Sequence, residues 1–169
     1  MGAMEQKILS APWKMTLFPA EQVSDVVLSY RIEADSGRVL YALSMPEYIE
    51  AWLTAPDPET SRFDFHPEAR NAFRLDLYRG EELESTVISS CSIVSANQVR
   101  YHWKTISPVG LAETVVEMHL RPNPGGCILG LKHSGFKDAA ESAWFDRMWR
   151  QSLDRLCGLI SKSHSVASH

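Results

Sequence analysis

One histidine, one threonine and one tryptophan make the constellation in this sequence that could do chemistry inside an apolar body. His133 ends the run "CILGLKH", in which Cys127, Leu129 and Leu131 fall at every second position, and Ser134-Gly135-Phe136 follows at once. The preceding run, "AETVVEMHL", puts Thr114, Val116, Met118 and Leu120 on one side of a strand. The run before that, "QVRYHWKTI", puts Val99, Tyr101, Trp103 and Thr105 on one side. Setting Arg100 against Glu117 and Lys104 against Glu113 pairs opposite charges on the other side, and it places Trp103 beside Thr114. A matching register in the next hairpin places Thr114 beside His133. An imidazole taken out of water without a partner costs about 1–3 kcal/mol. Two roles are therefore open for His133: a strand-end residue bonded within the protein, or a polar anchor for a ligand in an apolar pocket.

Other chemistry finds less support. His102 and His119 fall on the outward side with Glu117, which is the pattern of a solvated charge patch, and no His-Glu-x-x-His or Cys-x-x-Cys spacing accompanies them. Ser134 is the neighbour of His133, and adjacent strand residues point to opposite faces, so the two make no nucleophile–base pair. "SPVG" and "NPGG" are strand turns rather than phosphate cradles, because neither opens a helix after a strand. Glu81 and Glu82 sit together in a turn and are expected to be solvated. No catalytic residue, metal or cofactor is expected.

The chain that must position these residues has 169 residues and a net charge of -4, with basic and acidic side chains interspersed. That length suits one domain, and the scattered charge argues against nucleic acid as a partner. Cys91, Cys127 and Cys157 are odd in number and widely spaced, which suits free thiols in a reducing cytoplasm better than a disulfide framework. No apolar run reaches membrane-spanning length, and "MGAMEQK" lacks the apolar region of a signal peptide. "MGAM" has the look of a cloning remnant before a native Met4, so residues 1–3 are set aside.

Residues 1–24 read as an irregular arm containing Trp13 and Phe18, expected to cover a sheet edge, the alternative being to pack on a neighbouring molecule. "DVVLSYRIE" alternates as a half-buried strand, with Val26, Leu28, Tyr30 and Ile32 on one side. Asp35 or Ser36 can cap a helix through Val39, Leu40 and Leu43, and Pro46 must end it for want of an amide donor. A second short helix then carries Ile49 and Trp52. "APDPETSRFDFHPEA" is assigned to a loop on its prolines. Five strands follow, "NAFRLDLYR", "LESTVISSCSIV", "QVRYHWKTI", "AETVVEMHLRP" and "GCILGLKHSG", joined by short turns that make neighbours antiparallel. The last element is a long helix in which Phe145, Trp149, Leu153, Leu156 and Ile160 recur at spacings of three and four. Residues 25–161 are thus one domain, and 162–169 a flexible tail. An antiparallel sheet hides one face. A curved sheet wrapped around the terminal helix gives either a plain core or a cavity closed by the two short helices.

Three stretches in this order carry a resemblance. "IEADSGRVLYALSMPEYIEAWL", "VRYHW", and "VVEMHLRPNPGGCILGLKHSGF" with "MWRQSLDRL" resemble the SRPBCC, or START-like, superfamily, and within it the branch related to the activator of the ninety-kilodalton heat-shock protein ATPase. The likeness covers roughly Asp25 to Ser161. The chain departs from the family pattern at Ala34-Asp35-Ser36, Met45 and Met148. The resemblance implies an α+β helix-grip fold and no shared catalytic residues. It implies a cavity for a small hydrophobic, lipid-like ligand, or else a role with a protein partner or a second copy. A polyketide-cyclase-like enzyme is a third alternative. Such a cavity would be lined from the sheet by Tyr30, Phe73, Tyr101, Trp103, Thr114, Val116, Met118, Leu129, Leu131 and His133. Trp149 and Leu153 would line it from the terminal helix, with Tyr41 or Trp52 closing its mouth.

Overall fold

The computed structural model describes residues 23–69 and 71–167, with side chains as far as Ile160. Residues 1–22, which include nearly all of the expected arm, lie outside the described residues.

Strand β1 (Val26–Ile32) leads into helix α1 (Ser36–Ser44). The carboxylate of Asp35 accepts from the Arg38 amide at 2.9 Å, so it supplies the cap expected from its place in the sequence. Met45 ends α1 and precedes α2 (Pro46–Trp52), where Pro46 occupies the first turn and needs no amide partner. Six strands then meander: β2 (Ser61–Pro67), β3 (Ala72–Arg79), β4 (Glu82–Ser95), β5 (Gln98–Ser107), β6 (Gly110–Asn123) and β7 (Gly126–Ser134). The chain closes with helix α3 (Ala139–Ala167).

All pairings are antiparallel, and the seven-stranded sheet runs β1-β7-β6-β5-β4-β3-β2. The first strand therefore sits beside the last. Helix α3 lies across the concave face and buries the whole expected stripe, Phe145, Trp149, Leu153, Leu156 and Ile160. Each such side chain contributes about 1.5–3 kcal/mol through removal from water. Met148 and Ser152 are buried with them. This is the helix-grip arrangement.

Two local expectations are corrected. The segment assigned wholly to a loop contains β2, because Phe63 and Phe65 alternate with Arg62, Asp64 and His66, and Phe65 stacks on Phe73 at 5.0 Å. Its prolines do not oppose a strand at a sheet edge, where Pro67 is the last residue. The β6–β7 register differs by two residues: His133 faces Val116, not Thr114. That register is set by the turn, in which Asn123 pairs with Gly126 around Pro124 and Gly125, and Gly125 has φ +82°. A shift of two keeps every side chain on its face. The β5–β6 register agrees with the charge pairing, with Trp103 opposite Thr114, Arg100 3.7 Å from Glu117 and Lys104 3.6 Å from Glu113.

Candidate functional site

His133 is fully buried, and both of its ring nitrogens are taken. The Trp149 indole N–H from α3 lies 3.0 Å from Nδ1, and Thr114 Oγ1 from β6 lies 2.8 Å from Nε2. An indole N–H only donates, so Nδ1 accepts and the ring proton resides on Nε2, where it is donated to the threonine hydroxyl. Burial pushes the imidazole down from 6.5 to about 3, which keeps it neutral. Phe136 and Phe145 pack on the ring at 4.5 and 4.8 Å. Gly135 makes the first of these contacts: its φ of +99° turns the chain, and Phe136 folds back over the histidine. His133 is thus a buried tie between β6, β7 and α3.

Three further polar handles of the core are also satisfied from within. Tyr101 donates to the Leu43 carbonyl, pinning α1 to the sheet, and burial raises its phenol well above the ordinary value. Trp52 Nε1 donates to the Ala42 carbonyl at 3.0 Å. Ser152 Oγ accepts from the Thr54 amide at 3.0 Å, tying α3 to the loop after α2.

Open space lies elsewhere along the same helix. A cavity of about 450 Å³ sits under the first turns of α3, at the β3–β5 side of the concave face. Its floor is Leu75 and Leu77 from β3, Ser85 and Val87 from β4, and Trp103, Thr105 and Ser107 from β5. Ala140, Trp144 and Phe145 form the roof, and Phe63 from edge strand β2 closes one side, with its ring 6.2 Å from that of Trp144. Charges gather at the rim: Arg79 is paired with Glu84 at 3.0 Å, Glu141 Oε2 accepts from the Lys137 amide at 3.0 Å, and the Lys137 ammonium is exposed. The cavity exists because small side chains (Ser85, Thr105 and Ser107) lie beneath the helix where it stands away from the sheet. Its rim is charged and its interior apolar, so it suits a small, largely apolar molecule.

Of the residues expected around a cavity, Trp103 is placed on this wall. Phe73, Tyr101, Thr114, Val116, Met118, Leu129, Leu131, His133, Trp149 and Leu153 are placed in the closed core beside it, each essentially without exposure. Trp52 is in that core too, at 0 % exposure, and does not guard a mouth. Tyr41 is 50 % exposed on the outer side of α1, edge-on to Tyr48 at 5.1 Å, because its position in the helix faces away from Val39 and Leu43. Tyr30 is half-buried, with its hydroxyl 3.5 Å from the Arg150 carbonyl. Phe63, Leu75, Val87 and Trp144 escaped the sequence reading, and Thr105, placed on the inward side of its strand, was left out of the expected lining. The β2 alternation "RFDFH" was the available signal for Phe63. On the outer face His102 and His119 are exposed, and no cluster of metal-binding side chains occurs among the described residues. The three cysteines are unpaired. No described helix is long and apolar enough to cross a membrane.

The chain has structural relatives among solved proteins. Its fold matches protein CV1439 from Chromobacterium violaceum with a TM-score of 0.67 at 20% identity, covering 80% of this chain and 96% of that one. It matches protein MLL2253 from Mesorhizobium loti at 0.63 and 23% identity, covering 82% and 98%. It matches the AHSA1 protein from Silicibacter pomeroyi at 0.66 and 17% identity, covering 83% and 100%. No curated protein matches the chain. The family model "Activator of Hsp90 ATPase homolog 1-like protein" matches residues 33–161, the stretch that runs from the end of β1 through α3. The chain therefore belongs to the activator of Hsp90 ATPase homolog 1-like family, a branch of the SRPBCC superfamily with the helix-grip fold.

Proposed function

We propose that this chain is a non-enzymatic binding module that holds a small hydrophobic molecule in the cavity beneath the first turns of α3. The observation that carries this reading is a cavity of about 450 Å³ with an apolar interior and charges confined to its rim. That volume falls within the range of small-molecule sites. Against catalysis stands the state of His133, the one buried imidazole among the described residues, which is neutral and has both nitrogens occupied. Three unpaired thiols support a reducing, cytoplasmic setting.

Calorimetric titration with 2-ethylnaphthalene tests the reading. The protein is expected to bind it with one-to-one stoichiometry, and Thr105→Phe, which fills the floor, is expected to abolish binding while the fold persists. Absence of binding to the parent chain, or equal binding by the filled variant, overturns the reading.

A second reading, self-association through the outer face, has one specific observation behind it. Ile106 and Leu111 pair across β5–β6 with 45% and 61% exposure, beside exposed Ile88 and Val109. Sedimentation showing a monomer at every concentration would remove it, and a dimer broken by Leu111→Lys would support it.

A further inference from the structure

Two polar groups in the core differ from all their neighbours. Trp103 Nε1 and Ser89 Oγ are buried and have no hydrogen-bond partner among the described residues. The two residues stand directly opposite each other in the β4–β5 register, on the concave side, with Phe73 beyond Ser89 and Thr114 beyond Trp103 in the same row. Tyr101, Trp149, Thr114 and His133 adjoin Trp103, with Trp52 beyond Trp149, and all have their polar atoms engaged. The orphaned pair is therefore local, and it coincides with the place where the row reaches the cavity wall through Trp103. The indole is packed by Trp149 at 5.3 Å, by Phe145 at 5.8 Å, by Tyr101 at 6.4 Å and, edge-on, by His133 at 5.2 Å. An unmet buried donor destabilises the protein by about 1–3 kcal/mol, so the core gains by having this one satisfied.

We infer that the molecule held in the cavity carries an uncharged hydrogen-bond acceptor of the carbonyl class on a flat apolar body, and directs it toward Trp103 Nε1 and Ser89 Oγ. Trp103 supplies a donor that cannot accept, and Ser89 supplies a hydroxyl that can donate, so an acceptor serves both. The acceptor is uncharged because Arg79 and Lys137 are at the rim, and no cation lies among the residues lining the deep wall to offset a buried carboxylate. A flat body suits the aromatic rings of Phe63, Trp103, Trp144 and Phe145 that line the cavity. This inference rests on the reading of the cavity as a ligand site and adds the chemistry of the ligand.

The experiment compares three probes of one shape by calorimetry: 2-acetylnaphthalene, 2-ethylnaphthalene and 2-naphthoate. The ketone is the more water-soluble of the first two, so apolar burial alone would favour the hydrocarbon. The parent chain is expected to bind the ketone about tenfold more tightly than the hydrocarbon, the worth of one net hydrogen bond, and to bind the carboxylate least. Trp103→Phe keeps a ring and removes the donor. It should bring ketone and hydrocarbon to equal affinity, the readout being the ratio of the two within the variant, because Trp103 is part of the cavity wall and its change alters hydrocarbon affinity as well. Ser89→Ala, a smaller change, should reduce the preference in part and serves in place of Trp103→Phe if that variant does not fold. Equal affinity for ketone and hydrocarbon in the parent chain, or an undiminished preference in the variants, overturns the inference while hydrocarbon binding leaves the ligand site standing. Binding of neither probe overturns both.

Discussion

The indole N–H of Trp149 donates to Nδ1 of His133 across 3.0 Å, so the terminal helix and the last strand are joined atom to atom inside the core. The bond fixes which nitrogen carries the proton. Protonation at Nδ1 would set two donors against each other in the buried core. That conflict adds to the effect of burial, which alone takes the imidazole down to about 3.

The consequence for stability has a definite sign. In the unfolded chain His133 takes up a proton near pH 6.5, and in the folded chain only near pH 3. Between those values the unfolded state binds more protons. Folding stability should therefore fall on acidification through this window, by up to about 1.4 kcal/mol per pH unit from this residue. Denaturant titrations of the parent and of His133→Gln, from pH 7 to pH 4, should show a shallower decline in the variant. Parallel curves would mean that His133 is reached by solvent.

His133→Phe is expected to lower stability by about 2–4 kcal/mol. It leaves the Trp149 N–H and the Thr114 hydroxyl buried without their partner, each at about 1–3 kcal/mol, offset in part by the added apolar ring. Affinity for a hydrocarbon probe should not change, because His133 does not line the cavity. Chemical denaturation alongside calorimetry separates the two effects.

Trp149→Ala should cost about 3–5 kcal/mol, as for other buried aromatics. Trp149 stacks on Trp103 and sits 6.4 Å from Trp52, so its loss opens a void between helix and sheet. Trp149→Phe should cost less, with the lost hydrogen bond as the main term. Melting within a degree or two of the parent for the alanine variant would contradict the grip of α3 on the sheet.

The outer face should tolerate change. Replacing His102 and His119 together with Gln should leave stability within about 0.5 kcal/mol, the usual range for exposed positions. Stoichiometric zinc in the parent that is absent from the double variant, measured by atomic absorption, would contradict the view of this face as solvated.

Strand faces were legible in the sequence wherever polar and apolar residues alternate, and charge matching gave the β5–β6 register residue by residue. Period-2 logic also placed His133 inside, although its partner strand lies two residues from the expected register. A Pro-Gly turn had to be weighed against side-chain pairing there, and the turn decides. β2 was hidden because its prolines obscured the alternation of Phe63 and Phe65, which an edge strand permits. The cavity was the least legible feature. Its position depends on where a straight helix leaves a curved sheet, and no local pattern encodes that crossing. The aromatic residues that looked like pocket lining mostly fill the place where helix and sheet meet. Open space remains where Ser85, Thr105 and Ser107 are too small to fill it.

The pairing of β1 with β7 sets the order of events when the chain is made. Val26 meets His133 across the sheet, and the residues between them must all be synthesised first. The meander from β2 to β6 consists of neighbouring hairpins and can assemble as it emerges from the ribosome. β1 has no partner strand until residues 126–134 follow, and α3 comes later still. Nascent chains halted before residue 126 should thus carry an unpaired, apolar first strand exposed to chaperones and to other chains. The hairpin and helix that follow convert that hazard into the native edge in one later step.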